Sequence, residues 1–430
     1  MRTFPGPKRI NQSRVIEAIW VIEGWGLVLL IFLSFSPLMF HLEEYLFSAF
    51  LVLALGVAWF DGKPIWVRSP IDVPLLLLVG WILLTIPFAT DTAYSFAEWR
   101  KLVAQVLIFY WTLLVLGNQG KNTSRRILTA IGIGTTIICL YALVDFVERG
   151  GSLADRYLRA SIPYSNAYWL STYLVITVPL VAALGVAVRP RWQQFICGGV
   201  LMLALLAQFL SYIRAGWLAL VAQGIAFGLF TARPRLVIWT LVCCLVFGGL
   251  LLTLSQVGFQ RGTTDPFNLI VRLEVWEVGI QEVIAHPIVG IGYGDNTFRL
   301  RFGEFPEVSE INSLHNTLLM VAVGSGIPAG VFWVWAFVEA VRQLAQRAGK
   351  TSDADKSVIM IGIAAMIVGF VTQNLFAYMF AGSLAYLFWI VVATGFTEGM
   401  PRHSEQEAEA ETLSSAARNC TYRDKRRREQ

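Results

Sequence analysis

Of the 430 residues, 56% are hydrophobic and 15% are charged, and the formal net charge is only +5. Soluble domains carry about a quarter charged residues. With a mean hydropathy of +0.60, the composition excludes a water-soluble globular protein and marks an integral membrane protein. The small basic excess gives no case for nucleic acid.

An apolar helix of about 20 residues is needed to cross the hydrocarbon of a bilayer. Runs of that kind lie near 16–37, 44–60, 72–90, 101–117, 126–147, 168–188, 193–211, 215–231, 235–254, 317–341, 357–375 and 377–397. The spacing predicts an all-α polytopic protein with about 12 transmembrane helices. Its order is an N-terminal arm (1–15), spans 1–9 (16–254), a long polar loop (255–314), spans 10–12 (315–397) and a tail (398–430). No cleavable signal peptide is expected, because the first run follows a basic, Pro-containing arm without an A-x-A site. The tail is acidic over Glu405–Glu411 and basic over Arg423–Arg428. It reads as disordered, with some attraction to anionic lipid.

An even number of spans puts both termini on one side. With that side cytoplasmic, 24 of the 34 Lys and Arg fall in inner segments and 10 in outer ones. The positive-inside rule therefore predicts cytoplasmic termini and an outer 255–314 loop. Cys139, Cys197, Cys243 and Cys244 lie within apolar runs and Cys420 lies in the tail. Neither a disulfide framework nor a zinc site is supported.

Most connections are short, and no internal repeat or second domain is visible. Arg189-Pro190-Arg191 and Arg233-Pro234-Arg235 are basic, Pro-broken inner turns. Two outer connections are longer: 148–167, with Arg156, Arg159, Pro163 and Asn166, and the 255–314 loop. Within the latter, Asn268–Ala285 has helical spacing. Leu273, Trp276, Ile280, Val283 and Ile284 form one apolar stripe, and Glu274, Glu277, Gln281 and Glu282 form the opposite face. Such a helix lies on the membrane surface or over the bundle mouth, with Trp276 at headgroup level. Arg272 sits at the stripe edge with its guanidinium toward lipid, where it either snorkels or binds an anion.

His286-Pro287 ends this helix, and Gly290, Gly292 and Gly294 then permit tight turns. A lone G-x-G-x-G without strand-turn-helix context is weak evidence for phosphate binding. His286 reads as structural. His315 opens an apolar run that Gly324-Ser325-Gly326 and Pro328 interrupt, and broken helices at membrane depth are tolerated where they line a cavity. An isolated histidine at a span mouth is often an interfacial anchor. Here the same outer face also carries Arg272 and Arg214, the latter in the connection Tyr212–Ala215. Ionisable groups held at membrane depth are functional hypotheses.

Two arginines match the oxygens of a diphosphate in bidentate fashion and stabilise it as a leaving group. A neutral histidine takes a proton from an attacking hydroxyl. No D-x-D or paired-His set occurs outside, so neither metal nor cofactor is needed to neutralise charge. The parts suit transfer of a group from a lipid diphosphate to a hydroxyl.

The Arg272-x3-Trp276 helix, the stretch AHPIVGIGYGDNTF at 285–298 and HNTLLMVAVGSGIPAG at 315–330 resemble the O-antigen ligase/polymerase superfamily. IRAGW at 213–217 and Arg159 with Asn166 are weaker matches. The resemblance implies a GT-C-like glycosyltransferase with its active site on the periplasmic face of the bacterial inner membrane. Its donor would be a glycan on undecaprenyl diphosphate and its acceptor a hydroxyl, lipid A–core first. Transfer would be inverting and metal-independent. The family's essential residues map to Arg214, Arg272 and His315, with Arg159, Asn166 and Asn316 as possible substrate contacts. Where the family often has Ser-Arg, this chain has Ile213-Arg214. Polysaccharide polymerases, protein O-oligosaccharyltransferases and proteins once proposed as inorganic-carbon transporters share the superfamily, and fold does not choose among them. A small-solute transporter would show paired discontinuities in two halves, and the polar features here cluster on one face.

Overall fold

The computed structural model describes residues 7–34, 40–119, 123–152, 158–162, 166–256, 267–302, 314–378, 380 and 382–398. Arg156, Arg261, Cys420, parts of the long loop (257–266 and 303–313) and all but the first residue of the tail lie outside them. Among the described residues every regular element is helical. The helices are α1 Pro7–Leu33, α2 Phe40–Phe60, α3 Asp72–Thr85, α4 Thr92–Gly117, α5 Thr123–Glu148, α6 Ala167–Ala187, α7 Arg191–Ser211, α8 Arg214–Phe230, α9 Pro234–Gln256, α10 Phe267–Ala285, α11 Thr297–Phe302, α12 Thr317–Lys350, α13 Ala354–Asn374 and α14 Gly382–Glu398.

Eight of these are long and apolar enough to cross a membrane: α1, α2, α4, α5, α6, α7, α12 and α13. Shorter apolar helices at Asp72–Phe88, Arg214–Phe230, Pro234–Val246 and Gly382–Glu398 occupy the remaining four runs read from the sequence. The chain is thus an all-α, multi-pass membrane protein.

Capping and backbone breaks set the helix boundaries. Asp91, Asn166, Asn316 and Asp353 each accept a hydrogen bond from a backbone N–H of the helix they open, which satisfies donors otherwise orphaned at an N-terminus. Tyr212, Ala232 and His315 have positive φ, and each stands at a junction between helices. The first separates α7 from α8 so sharply that Arg214 already belongs to the first turn of α8. The four-residue connection expected from the sequence shrinks to Tyr212 and Ile213.

Helix α13 is central and packs on α6, α8 and α12, while α14 packs on α4. Almost every side chain of α14 is buried. α9 packs chiefly on α8 and exposes Ile238, Trp239, Leu245 and Val246. In a bilayer both environments are equally apolar, which is why hydropathy alone does not tell a central helix from a peripheral one.

The interruption at Gly324–Gly326 is a break in α12, with non-helical backbone at Ser325 and Gly326. A second segment fills it. Ile291 N–H donates to Val323 O (3.0 Å), Gly292 N–H to Gly324 O (2.8 Å) and Ile327 N–H to Pro287 O (2.8 Å). Trp81 Nε1 donates to Ser325 O at 2.9 Å. The backbone groups freed by the break are therefore satisfied within the protein, as an apolar environment demands. This is the work of the glycine turn. A Cβ on Gly290 would collide with the Gly324 carbonyl, and one on Gly326 with the Ile288 carbonyl. Gly290, Gly292 and Gly294 thus pack backbone against backbone and side chain rather than forming an anion cradle.

Candidate active site

The described part of the 255–314 stretch does not stand clear of the bundle. Val275 of α10, Ile291, Phe298, Leu314, and Met320 and Val323 of α12 form a buried apolar cluster, and Thr90 N–H donates to Ile291 O at 2.8 Å. Helix α10 covers the residues Asn268–Ala285 expected from the spacing, but its stripe divides. Leu273, Ile280 and Ile284 are exposed, whereas Trp276 is half-buried and donates from Nε1 to Leu314 O at 2.8 Å.

Arg272 lies one turn before Trp276 and turns inward, not toward lipid. Its Nη1 donates to Phe376 O at 3.0 Å, and Nη2 reaches Tyr168 Oη at 3.5 Å. Phe376 and Tyr168 come from the α13–α14 turn and the first turn of α6. Their position fixes the guanidinium on the bundle side.

His315 is half-buried in the left-handed backbone region, at φ 47°. A non-glycine residue held there costs about 1–3 kcal/mol and needs its surroundings to impose it. Those surroundings are explicit. Leu314 is buried and its carbonyl is taken by Trp276. Asn316 caps α12 through Leu319 N–H at 3.0 Å. Thr317 Oγ1 lies 2.9 Å from Asn374 Oδ1 and 3.2 Å from Ala377 O. Burial, and secondarily the positive charge of Arg272, hold the His315 pKa below its ordinary value. The imidazole is therefore neutral at pH 7, the protonation state a general base needs.

The structure thus places His315 within reach of the Arg272 charge, which helps to hold the imidazole neutral. Arg214 is exposed at the first residue of α8. It connects to this region through its neighbours. A Cβ on Gly216 would collide with Ser171 Oγ and Gln208 Nε2, and Ser171 Oγ accepts from both Gln208 (3.0 Å) and Gln373 (3.2 Å). Arg159 is exposed, and the adjacent Ala160 N–H donates to Leu210 O at 3.0 Å, which ties that segment to the same end of α7. Asn166 and Asn316 have their side-chain oxygens engaged as caps. His286 stays at the end of α10, 3.8 Å from Glu282.

Sequence reasoning missed the α13–α14 turn, Tyr168, and a group of phenols and carboxylates beside Thr317. There Tyr94 Oη donates to Asp295 Oδ1 at 2.6 Å and accepts from Asn296 N–H at 3.1 Å. Burial pushes the Tyr293 and Tyr378 phenols well above their ordinary pKa, and the charges of Glu98 and Asp295 add to the shift. Tyr293, Tyr378 and Thr317 line a small cavity of about 10 Å³, room for about one water. No residue spacing announces such a group, because its members come from four separated segments.

The chain is a multi-pass helical membrane protein with Arg272 and the neutral His315 near the α13–α14 turn. Residues 199–334 match the family model described as O-antigen ligase, which supports the O-antigen ligase superfamily that the sequence resembles. The matched region runs from α7 into α12 and includes Arg214, Arg272, His315 and Asn316, but not Arg159, Asn166 or the α13–α14 turn. No curated protein matches the chain.

Proposed function

We infer that the chain is an O-antigen ligase-like glycosyltransferase that moves a glycan from undecaprenyl diphosphate to a hydroxyl at the periplasmic face of the inner membrane. Lipid A–core is the first candidate acceptor. The observation that carries this is the pairing of Arg272 with a neutral, half-buried His315 inside a region matching the O-antigen ligase model. His315 accepts the proton of the acceptor hydroxyl as its oxygen bonds to the anomeric carbon. The bond from that carbon to the diphosphate oxygen breaks on the opposite face, which inverts the configuration. Undecaprenyl diphosphate leaves carrying the electron pair, and Arg272 and Arg214 stabilise its charge. Charge neutralisation is assigned to these arginines and not to a metal. The exposed apolar residues Leu273, Ile280 and Ile284 on α10 offer the donor's isoprenoid chain a lipid-side approach.

Purified protein in nanodiscs, supplied with a lipid-linked glycan and candidate acceptors, tests this. Proton transfer by a positioned side chain contributes about 10²–10⁴ in rate, so His315→Ala is expected to lose at least a hundredfold in transfer while still binding donor. His286→Ala should stay within about threefold of wild type. Near-normal transfer by inserted His315→Ala would make the histidine an interfacial anchor and overturn the mechanism. Transfer to lipid A–core, to the growing glycan or to a protein hydroxyl separates a ligase from a polymerase and from a protein oligosaccharyltransferase.

A further inference from the structure

The turn between α13 and α14 grips both halves of the proposed site. Phe376 O accepts from Arg272 Nη1 at 3.0 Å. Asn374 Oδ1 and Ala377 O receive the Thr317 hydroxyl, two residues beyond His315. Trp276, on the same helix as Arg272, holds Leu314 O on the other side of His315, and its ring stands 6.1 Å from that of Phe376. Hydrogen bonds and chain therefore close a ring through Arg272, Phe376, Asn374, Thr317, His315, Leu314 and Trp276.

Asn374 is the corner of that ring. It is fully buried, and its Nδ2 donates to Phe370 O at 2.9 Å. Because a carbonyl only accepts, the amide orientation is fixed, and Oδ1 is left to face Thr317. The neighbouring Gln373 donates to Ser171 Oγ of α6, so the turn is itself anchored on a third helix. Ser171, Phe370, Gln373 and Asn374 all lie outside the matched 199–334 region.

We propose that Asn374, acting through Thr317, is a positioning residue that fixes His315 at its working distance from Arg272. This rests on the transfer mechanism above. Thr317→Val keeps the shape and removes the hydroxyl that Asn374 Oδ1 receives. Thr317→Ser keeps the hydroxyl. The experiment measures kcat, KM for the lipid-linked donor and the pH profile for Thr317→Val, Thr317→Ser, Asn374→Ala and the Thr317→Val/Asn374→Ala pair.

The expected result is a 10- to 100-fold drop in kcat for Thr317→Val and Asn374→Ala, with donor KM within about threefold. Thr317→Ser should recover to within about threefold of wild type. The double variant should be no worse than the poorer single one, since both remove one link. The acidic limb of the rate profile should move up in pH for Thr317→Val, because an imidazole released from burial and from Arg272 regains its ordinary basicity. The Tyr378 phenol on the same turn stays neutral over that range.

Wild-type kcat in inserted Thr317→Val would overturn the proposal, and so would a fall in kcat with an unmoved acidic limb, which is the mark of a merely structural loss. Additive losses in the double variant would overturn it too. If His315→Ala also transfers normally, the mechanism itself fails; if His315→Ala is inactive and the Thr317 and Asn374 variants are normal, only this inference falls.

Discussion

A guanidinium presents five N–H donors in a rigid plane, and among the described residues Arg272 uses two of them, on Phe376 O and Tyr168 Oη. Lysine keeps the charge but has neither the fork nor the planarity. If Arg272 binds the donor diphosphate, Arg272→Lys should cost one charge-assisted hydrogen bond, about 1.5–3 kcal/mol, which is roughly 10- to 150-fold in kcat/KM for transfer. Arg301, exposed on α11, is the control: Arg301→Lys should stay within about twofold. Transfer assays on the two purified variants check this, and equal activity of Arg272→Lys and wild type would return Arg272 to a packing role. The sequence located this arginine by its place beside an apolar stripe on a helix. It also suggested a lipid-facing side chain, which is incorrect. The partners that turn it inward lie 104 residues away in either direction, and no local spacing encodes them.

At the scale of elements, the broken α12 and the glycine turn form one unit. The break was legible, because Gly324, Ser325, Gly326 and Pro328 cannot continue a helix cleanly. The filling segment was not, since backbone pairing between 287–292 and 323–327 leaves no side-chain signature beyond the glycines. Gly326 adopts φ 80°, ψ 172°, a conformation open essentially to glycine alone. Gly326→Ala should destabilise by about 1–3 kcal/mol through strain and more through its clash with the Ile288 carbonyl, lowering the thermal midpoint in detergent by several degrees. It should also reduce transfer, because α12 carries His315 at its mouth. Gly56→Ala in α2, where a Cβ meets nothing within 4 Å, should leave the midpoint unchanged or raise it slightly. A wild-type midpoint for Gly326→Ala, read by differential scanning fluorimetry, would show that the splice does not constrain the break.

For the whole molecule, the placing of charge predicts orientation. Arg272 with Phe376, Thr317 with Asn374, Thr90 with Ile291 and Ala160 with Leu210 collect the site residues at one end of the bundle. The α12–α13 junction at Thr351–Asp353, by contrast, follows Arg342, Arg347 and Lys350. The charge bias of 24 against 10 predicts a cytoplasmic basic end, since Lys and Arg flanking short loops resist translocation. In a background with the five cysteines replaced, Glu274→Cys, exposed on α10, should react with an impermeant maleimide in intact spheroplasts. Ser352→Cys, exposed beside α13, should react only after permeabilisation, with at least a tenfold contrast between the two conditions. The arginine–histidine pair and its glycan donor would then share the periplasmic side. Labelling of Ser352→Cys but not Glu274→Cys in intact cells would put that pair in the cytoplasm, where a lipid-linked glycan awaiting transfer to an outer-leaflet acceptor is out of reach, and the ligase mechanism would fall with the topology.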